Sequence, residues 1–263
     1  MRPTFLVGVP GFLRKLGRHL HASGRPPQGV KGLICIGEPL RDASLRATAL
    51  ALELETLWGA PAFSTYSSSE IITSFCECGS QCGGHAAPDL GILEIVDDAG
   101  RVLPPGETGE IAVTPLGVEG MPLVRFRTGD IGFFIDEPCA CGRQSLRLSP
   151  ILGRRAQMLK VQGTTFYPAT VFEVLNGVPE VSEYYMEVES EGVSDRIRVH
   201  VALSPGLPEL MKKIQNLLQA RLRMRPEVCV ASEEDIRRRV YVPQSRKPVR
   251  YFDLRVQEVA AWK

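Results

Sequence analysis

The sequence of 263 residues has no excess of charge of either sign, since 31 Lys and Arg stand against 30 Asp and Glu for a formal net charge of +1. A nucleic-acid-binding surface needs a basic excess, so we expect no nucleic-acid partner. No apolar run approaches the roughly 20 residues that span a bilayer. The run at residues 5–9 is also too short for the core of a secretory signal. We therefore expect no membrane partner and a cytoplasmic location.

Hydrophobic residues make up 44% of the chain and charged residues 23%. This fraction is enough to form a buried core, which excludes disorder of the chain as a whole. The 25 Gly and 20 Pro indicate many turns between short elements. The length fits more than one domain of average size.

Short apolar runs alternate with helix-forming stretches in the first part of the chain. Residues 5–9, 32–36 and 61–66 are predicted as strands. Residues 10–21 and 40–58 are predicted as helices, the second because apolar residues recur at helical spacing. Alternation of strands and helices predicts a parallel sheet. Ligands usually bind at the carboxyl ends of such strands.

Short β segments with Gly and Pro turns follow, and they predict a small antiparallel β-subdomain. These segments are residues 91–96, 109–114, 124–127 and 132–135. We expect this subdomain and the parallel α/β subdomain to form one larger domain over residues 1–152. The fold class of the chain is therefore α/β, with a smaller α+β domain after it.

That smaller C-terminal domain is predicted over residues 153–263. Its strands are expected at residues 157–161, 182–188, 196–203 and 228–230. One helix is expected from Pro168, a residue favoured in a first helical turn. A second is expected over residues 207–222, where apolar residues form a continuous stripe.

Seven cysteines are present, an odd number that argues against a disulfide framework. Five of them and one histidine lie in two tight clusters: Cys76, Cys78, Cys82 and His85, then Cys139 and Cys141. Thiolates and an imidazole suit tetrahedral zinc, and we interpret the set as a structural zinc site. The best four ligands are Cys78, His85, Cys139 and Cys141, with Cys82 as the competing ligand. The alternatives are scattered buried thiols and, less favoured, an iron–sulfur cluster.

A serine-rich segment follows the third predicted strand, Tyr66-Ser67-Ser68-Ser69-Glu70. Hydroxyl groups and free amides at a strand end can cradle a phosphate. The Glu70 carboxylate can hold Mg²⁺, and the Tyr66 ring can stack on a base. Without further support, the same residues also fit an ordinary turn.

A second candidate segment is Arg127-Thr128-Gly129-Asp130. A carboxylate after a glycine turn can accept both hydroxyl groups of a ribose, as acidic residues do at nucleotide sites. Arg154 could reach the same sugar or a phosphate. The alternatives are a capped turn for Asp130 and a surface ion pair for Arg154.

The order of these motifs resembles that of the adenylate-forming acyl-CoA ligases, and most closely their phenylacetate–CoA ligase branch. The particular marks are "MPLVRFRTGD" at residues 121–130, "CACGR" at residues 139–143, and the acidic-Cys stretch before Gly84 and His85. The resemblance runs over essentially the whole chain, from residue 8 to residue 253.

The resemblance implies roles for individual residues. Gly37-Glu38-Pro39 would line the adenine pocket and Tyr66 would lie against the base. Ser67 and Ser69 would bind the nucleotide near its phosphate, and Glu70 would bind Mg²⁺. Asp130, helped by Arg154, would bind the ribose.

Two further roles lie in the smaller domain. Lys247 would reach the carboxylate and the α-phosphate as the catalytic lysine, and Gly163 would line the route of the coenzyme A thiol. The implied cofactors are ATP, Mg²⁺ and coenzyme A as a substrate, beside the zinc. An aromatic acid such as phenylacetate would be the carboxylate.

The sequence departs from that family at three places. The Ser/Thr/Gly-rich phosphate loop is missing, Ala156 and Gln157 stand where the hinge usually has an acidic pair, and Arg246 replaces the glycine before Lys247. We therefore expect weak or no activity of this chain alone, and a homodimer or a separate N-terminal fragment as its partner. The alternatives are a non-catalytic nucleotide- or partner-binding homologue, or an adenylating enzyme with an acceptor other than coenzyme A.

Overall fold

The computed structural model describes residues 3–161, 163–191, 194–203, 208–243, 245 and 248–255. The chain divides into two compact units, Met1–Ala156 and Gln157–Lys263. The first unit contains the residues predicted to bind nucleotide and metal, except Gly163 and Lys247. Each unit is therefore described separately.

The first unit contains a seven-stranded sheet of order β1-β2-β3-β4-β5-β10-β9. Its strands are β1 (Phe5–Gly8), β2 (Gly32–Ile36), β3 (Ala62–Ser67), β4 (Ser74–Glu77), β5 (Gly84–His85), β9 (Phe134–Ile135) and β10 (Arg147–Leu148). Strands β1, β2 and β3 pair in parallel, as the strand–helix alternation predicts. The remaining strands of this sheet pair antiparallel, so the sheet is mixed.

Two helices, α1 (Pro10–Ala22) and α2 (Ala49–Trp58), cover one face of the parallel strands. Pro10 opens α1, where its fixed φ suits the first helical position. Leu13 of α1 and Leu54 of α2 pack with Leu33 and Ala62 of the sheet in one buried cluster. The Trp58 indole donates a hydrogen bond to the carbonyl oxygen of Leu13 at 3.1 Å, which ties the two helices together.

The prediction of a helix over residues 40–58 was wrong in its first half. Residues 40–48 form a loop in which the Asp42 carboxylate accepts hydrogen bonds from the amides of Ser44 and Arg46. Leu45 there has φ of 63°, a conformation that a helix excludes. The helix starts after Thr48, whose side chain accepts from the amide of Ala51. Asp42 and Thr48 thus form local hydrogen bonds with the backbone that delay the start of the helix.

A four-stranded antiparallel sheet of order β11-β8-β7-β6 completes the first unit. The antiparallel strands predicted at residues 91–96, 109–114 and 124–127 contribute to it, but the segment predicted at residues 132–135 was misplaced, because β9 pairs with β10 in the seven-stranded sheet. Its strands are β6 (Gly91–Val96), β7 (Gly109–Pro115), β8 (Phe126–Gly132) and β11 (Gly153–Arg154). Ile95, Ile111 and Val113 of this sheet share a buried cluster with Phe75 of β4, so the two sheets of the unit pack on each other.

The second unit has a helix-covered four-stranded sheet of order β16-β15-β14-β17, in which the central pair is antiparallel and both outer pairs are parallel. Its elements are the hairpin β12 (Leu159–Val161) and β13 (Thr164–Phe166), then α3 (Pro168–Asn176), β14 (Val181–Glu191), β15 (Ser194–Leu203), α4 (Pro208–Leu222), β16 (Glu227–Val230), α5 (Glu233–Val240) and β17 (Tyr251–Asp253). Residues 155–157 form a 3₁₀ turn, so the strand predicted at residue 157 begins only at Leu159. Met186 of β14, Val199 of β15 and Ile214 of α4 are fully buried in the core. The mixed α/β class predicted for the chain is confirmed.

The helices that the structure describes were searched for a membrane span. None of them is both long enough and apolar enough to cross a bilayer.

Candidate nucleotide and metal sites

Asp130 lies in β8, where it is directly opposite Arg154 of β11. The carboxylate is buried, with 8% of the residue exposed, and each of its oxygens has one partner. Arg154 Nε donates to Oδ1 at 3.1 Å, and the Tyr66 hydroxyl donates to Oδ2 at 2.9 Å. A carboxylate can accept about four hydrogen bonds, so capacity for two more donors remains.

Tyr66 brings the end of β3 to this carboxylate. Its ring stacks on Phe75 of β4, with centroids 6.0 Å apart. Burial, together with the nearby Asp130, raises the pKa of the Tyr66 hydroxyl, so the group stays protonated and donates. The structure thus brings together Tyr66, Asp130 and Arg154, which the sequence places far apart.

The turn before Asp130 is held by a residue that sequence reasoning missed, Glu110 of β7. Gly129 has φ of 77°, which glycine adopts readily, and its amide donates to Glu110 Oε1 at 3.1 Å. The Glu110 carboxylate is buried and also accepts from Arg127 Nε at 2.8 Å and Arg155 Nη1 at 3.0 Å. One carboxylate therefore links the turn to the residue that follows Arg154. A buried Glu on an otherwise apolar strand is the signal that could have found it.

The segment Gly37-Glu38-Pro39 follows β2 at the carboxyl end of the sheet. Gly37 has φ of 80°, which turns the chain. The Glu38 carboxylate accepts a hydrogen bond from the amide of Gly11 at 3.1 Å, in the first turn of α1. Because Val9 offers no side-chain cap to α1, this acidic group supplies one from elsewhere in the chain. The Glu38 side chain is thus engaged by α1. The predicted role of the segment 37–39 in lining an adenine pocket would fall to its backbone.

The serine-rich segment after β3 is held as a loop. Ser67 Oγ donates to the carbonyl oxygen of Thr73 at 2.8 Å. Ser69 and Glu70 are exposed, and the side chains remain accessible to a ligand. Exposed oxygen ligands of this kind are what Mg²⁺ uses when it keeps most of its water.

The cysteine clusters meet because the sheet pairs their strands. His85 of β5 lies opposite Cys76 of β4 and Arg147 of β10. Cys78 follows β4, and Cys139 and Cys141 precede β10. One ligand atom from each of four residues, Cys78, His85, Cys139 and Cys141, lies within 4.8 Å of all the others.

The spacing of these atoms fits a tetrahedral metal site. Cys78 Sγ lies 3.5 Å from Cys139 Sγ, and Cys141 Sγ lies 3.4 Å from His85 Nε2. Zinc bonds of about 2.0–2.3 Å place tetrahedral ligands about 3.4–3.8 Å apart. His85 Nδ1 lies 3.2 Å from Ser145 Oγ, a second contact of the kind that orients histidine ligands.

Two cysteines of the cluster differ in electrostatic surroundings. The amide of Cys141 and neighbouring donors lower the pKa of Cys139 to about 5, which favours the thiolate that metals bind. Burial raises the pKa of Cys82, and its Sγ accepts from Arg147 Nη1 at 2.9 Å. Cys82 Sγ lies 3.8 Å from Cys139 Sγ, beside the four-residue set.

A buried ion pair that the sequence did not indicate lies next to the cysteine–histidine cluster. Glu77, next to Cys78, accepts from Arg41 Nε at 3.2 Å and from the amide of Ser64 at 2.7 Å. Both side chains of the ion pair are almost fully buried. The pair fixes β4 against the loop before α2, and so fixes the start of the cysteine segment.

The two remaining predicted residues belong to the second unit. Gly163 lies exposed in the turn between β12 and β13 with φ of 76°. Lys247 lies outside the described residues. Their roles stay predictions.

The first unit is a mixed α/β unit whose candidate site residues follow the carboxyl ends of parallel strands, where ligands usually bind, and the second is an α+β unit. Residues 163–255 match the model of the AMP-binding enzyme C-terminal domain. Phenylacetate-coenzyme A ligase of Thermus thermophilus is 33% identical over 210 residues, which cover 77% of this chain and 46% of that protein. Phenylacetate-coenzyme A ligase of Escherichia coli is 29% identical over 215 residues, covering 79% and 48%.

Solved structures show the same fold. A crystal structure of 2-hydroxyisobutyryl-CoA ligase with R3-HIB-AMP, in the postadenylation state, aligns with a TM-score of 0.82 and 23% identity over 96% of this chain and 55% of that one. The anthranilate CoA ligase AuaEII with anthranoyl-AMP aligns with a TM-score of 0.67 and 17% identity. In sequence and in fold the chain is similar to adenylate-forming enzymes. It spans about half the length of the curated relatives it matches.

Proposed function

We propose that this chain supplies the ribose-binding residues and the C-terminal unit of a carboxylate–coenzyme A ligase that works through an acyl-adenylate. The observation that carries the proposal is the buried Asp130 carboxylate, held by Tyr66 and Arg154 with acceptor capacity to spare. A ribose offers two adjacent hydroxyl donors, the number of hydrogen bonds that the Asp130 carboxylate can still accept. The names of the relatives, which are phenylacetate-coenzyme A ligases, support the reaction.

The reaction has two steps. A carboxylate oxygen attacks the α-phosphorus of ATP, the bond to the bridging oxygen breaks, and pyrophosphate leaves. The coenzyme A thiol then loses its proton and its sulfur attacks the acyl carbonyl carbon, and AMP leaves. Negative charge gathers at the α-phosphate in the first step, so a positioned cation there lowers the barrier.

In this proposal Lys247 supplies that cation, and Glu70 would hold Mg²⁺, which would supply further positive charge to the reaction. Ser67 and Ser69 bind the phosphate side of the nucleotide, and Gly163 lines the thiol route. Support comes from the exposed position of Glu70 after β3 and from the match of residues 163–255 to an AMP-binding C-terminal domain. The adenine would lie beside Tyr66 and the segment 37–39.

We propose an aromatic acid of the phenylacetate type as the carboxylate, because the curated relatives are named for it. The free cysteines of the described chain fit a reducing compartment such as the cytoplasm.

A pyrophosphate-exchange assay tests the reaction. The chain alone, given ATP, Mg²⁺ and phenylacetate, should exchange pyrophosphate weakly or not at all, since the donors that grip the triphosphate are few. Exchange without thioester formation after addition of coenzyme A would favour another acceptor. AMP binding without exchange would favour the non-catalytic homologue, provided that exchange also stays absent when the portion of a relative that this chain does not match is added.

The second proposal is a structural zinc ion held by Cys78, His85, Cys139 and Cys141. It would join β4, β5 and the loop before β10, in addition to the strand pairing that links β4 to β5 and β5 to β10. Protein purified without added metal should contain about one zinc per chain.

Serine variants test the ligand set. Cys139→Ser should lose the zinc and lower the melting temperature, whereas Cys82→Ser is the matched control and should keep it. Zinc should also leave as the pH falls toward about 4, because protons compete for thiolates and imidazole. Full zinc content in Cys139→Ser would overturn the proposed set.

A further inference from the structure

The cysteine–histidine cluster holds one thiol more than a tetrahedral zinc ion uses. Structural zinc takes four ligands, and in the proposed site these are Cys78, His85, Cys139 and Cys141. Cys82 is left over, although its Sγ lies 3.8 Å from Cys139 Sγ. The proposed zinc site therefore gives this neighbouring thiol no role.

The backbone around Cys82 is fixed against the sheet. Gln81 has φ of 51° and Gly83 has φ of 97°, so the chain bends sharply on both sides of the cysteine. A Cβ added to Gly83 would lie 2.8 Å from Ile135 Cδ1 and 2.9 Å from the carbonyl oxygen of Leu148. Such close packing holds Cys82 beside β9 and β10.

The buried Arg147 guanidinium joins the two segments that carry Cys82 and Cys139. Its Nη1 donates to the carbonyl oxygen of Cys82 and, at 2.9 Å, to Cys82 Sγ. Its Nη2 donates at 2.7 Å to the carbonyl oxygen of Glu137, two residues before Cys139. Because one side chain bonds the backbone of both segments, they stay together when the Cys82 sulfur turns toward Cys139.

Cys82 and Cys139 are placed for a disulfide. A disulfide bond is about 2.05 Å long, so the two sulfurs need to approach by about 1.8 Å. Side-chain rotation supplies such a movement while the backbone stays in place. Cys76, the other cysteine outside the four-ligand set, is engaged elsewhere, since its Sγ accepts a hydrogen bond from Thr65 Oγ1 at 3.1 Å.

Cys82 is also the sulfur of this pair that is open to an oxidant. It is half-buried, whereas Cys139 is only 8% exposed. In the proposed site the Cys139 sulfur is coordinated and the Cys82 sulfur is not. Burial raises the pKa of Cys82, and the Arg147 guanidinium offsets part of that rise.

We propose that Cys82 is an oxidation site for peroxides, and that its oxidation converts the zinc site into a Cys82–Cys139 disulfide. The Cys82 thiol loses its proton and its sulfur attacks hydrogen peroxide. The O–O bond breaks, water is formed, and Cys82 becomes a sulfenic acid. The Cys139 thiolate then attacks the Cys82 sulfur, the S–S bond forms, the S–O bond breaks, and hydroxide leaves. Peroxide thus takes two electrons, one from each sulfur.

The disulfide removes a zinc ligand and replaces one cross-link by another. A disulfide sulfur is no longer the thiolate that zinc binds, so the ion is left with three of its four ligands. The new bond keeps the segment after β4 joined to the loop before β10. The inference rests on the proposed zinc site for the released ion, though not for the disulfide.

The test exposes the full chain, purified with its metal and free of added thiol, to a small excess of hydrogen peroxide. Peptide mapping without reduction should show a Cys82–Cys139 disulfide, and a chromogenic chelator should detect about one released zinc per chain. Dithiothreitol and added zinc should restore the bound ion, because a disulfide is reversible.

Cys82→Ser should keep its zinc before oxidation and release it at least tenfold more slowly at the same peroxide concentration. Cys76→Ser removes the other cysteine outside the four-ligand set, so it is the matched control and should behave as the parent chain. The peptide map of the parent chain needs no variant, so it decides the case if Cys82→Ser fails to fold.

Two results would overturn the inference: a disulfide that joins Cys139 to Cys78 instead, or equal rates of zinc release in Cys82→Ser and the parent chain. The zinc content before oxidation separates these results from failure of the proposed zinc site. A chain that contains zinc but forms no Cys82–Cys139 disulfide overturns only the oxidation site. A chain without zinc that still forms this disulfide overturns only the zinc site.

Discussion

At the scale of single residues, Glu110 holds the turn next to the candidate nucleotide site without belonging to that site. Its buried carboxylate joins the Gly129 amide, Arg127 and Arg155. Removing one partner of a buried ion pair leaves uncompensated charge. Glu110 is therefore a positioning residue for Asp130, which lies one residue beyond Gly129.

Glu110→Gln should weaken AMP binding about fivefold and lower the free energy of unfolding by about 2–4 kcal/mol. Hydrogen exchange should accelerate at residues 128–131. The matched control is Glu94→Gln, whose carboxylate pairs with the half-exposed Arg125 at 2.9 Å on neighbouring β6. A surface pair contributes only about 0–1 kcal/mol. Equal exchange rates at residues 128–131 in both variants would contradict the positioning role.

Sequence alone predicts residue types at these sites better than their partners. The cysteine and histidine spacing predicted a set of four whose ligand atoms the fold brings together. The spacing could not indicate that Tyr66 donates to Asp130, because strand pairing across two sheets decides that contact. Arg41 and Glu77 were missed for the same reason, since a buried ion pair leaves no periodic signal.

At the scale of elements, α1 depends on a cap from outside itself. Its N-cap residue, Val9, makes no side-chain cap, and the Glu38 carboxylate bonds the Gly11 amide instead. An acidic group at a helix N-terminus also interacts favourably with the helix dipole. The helix and the loop after β2 therefore stabilise each other.

Glu38→Gln should lower the free energy of unfolding by about 0.5–1 kcal/mol, and Glu38→Ala by about 1–2 kcal/mol, measured by urea denaturation. Glu107→Gln, at an exposed glutamate of the same unit, is the control and should change stability by less than 0.5 kcal/mol. If all three variants unfold at the same urea concentration as the parent, the cap contributes nothing.

Element boundaries were the weaker part of sequence reasoning. The start of α1 follows from Pro10, because proline both fits a first turn and ends what precedes it. The start of α2 was placed too early, since Leu40 and Leu45 continue the apolar pattern while Asp42 bonds the backbone into a turn. Leu40 is buried although it lies in a loop. A buried apolar loop residue of this kind extends the apolar pattern of the following helix in the sequence.

At the scale of the whole molecule, the two units have separate cores. The core of the second unit is large and includes Leu175, Met186, Val199, Ile214 and Leu218, all fully buried. None of the described residues in that core comes from the first unit. Such a unit should fold independently.

Residues 157–263 expressed alone should therefore unfold cooperatively and give a dispersed amide spectrum. A zinc chelator should leave their melting temperature unchanged, while the same chelator lowers the first transition of the full chain. A melting temperature of the isolated unit that falls with the chelator, or an amide spectrum typical of an unfolded chain, would contradict the independent folding of residues 157–263.

The account depends most on a mononucleotide bound through the Asp130 carboxylate. Titration calorimetry of the full chain with AMP tests this directly. The account predicts measurable binding that Asp130→Asn weakens at least tenfold and that Asp89→Asn, at an exposed aspartate of the same unit, leaves unchanged. Binding of equal strength in both variants, or no binding by the parent chain, would contradict it.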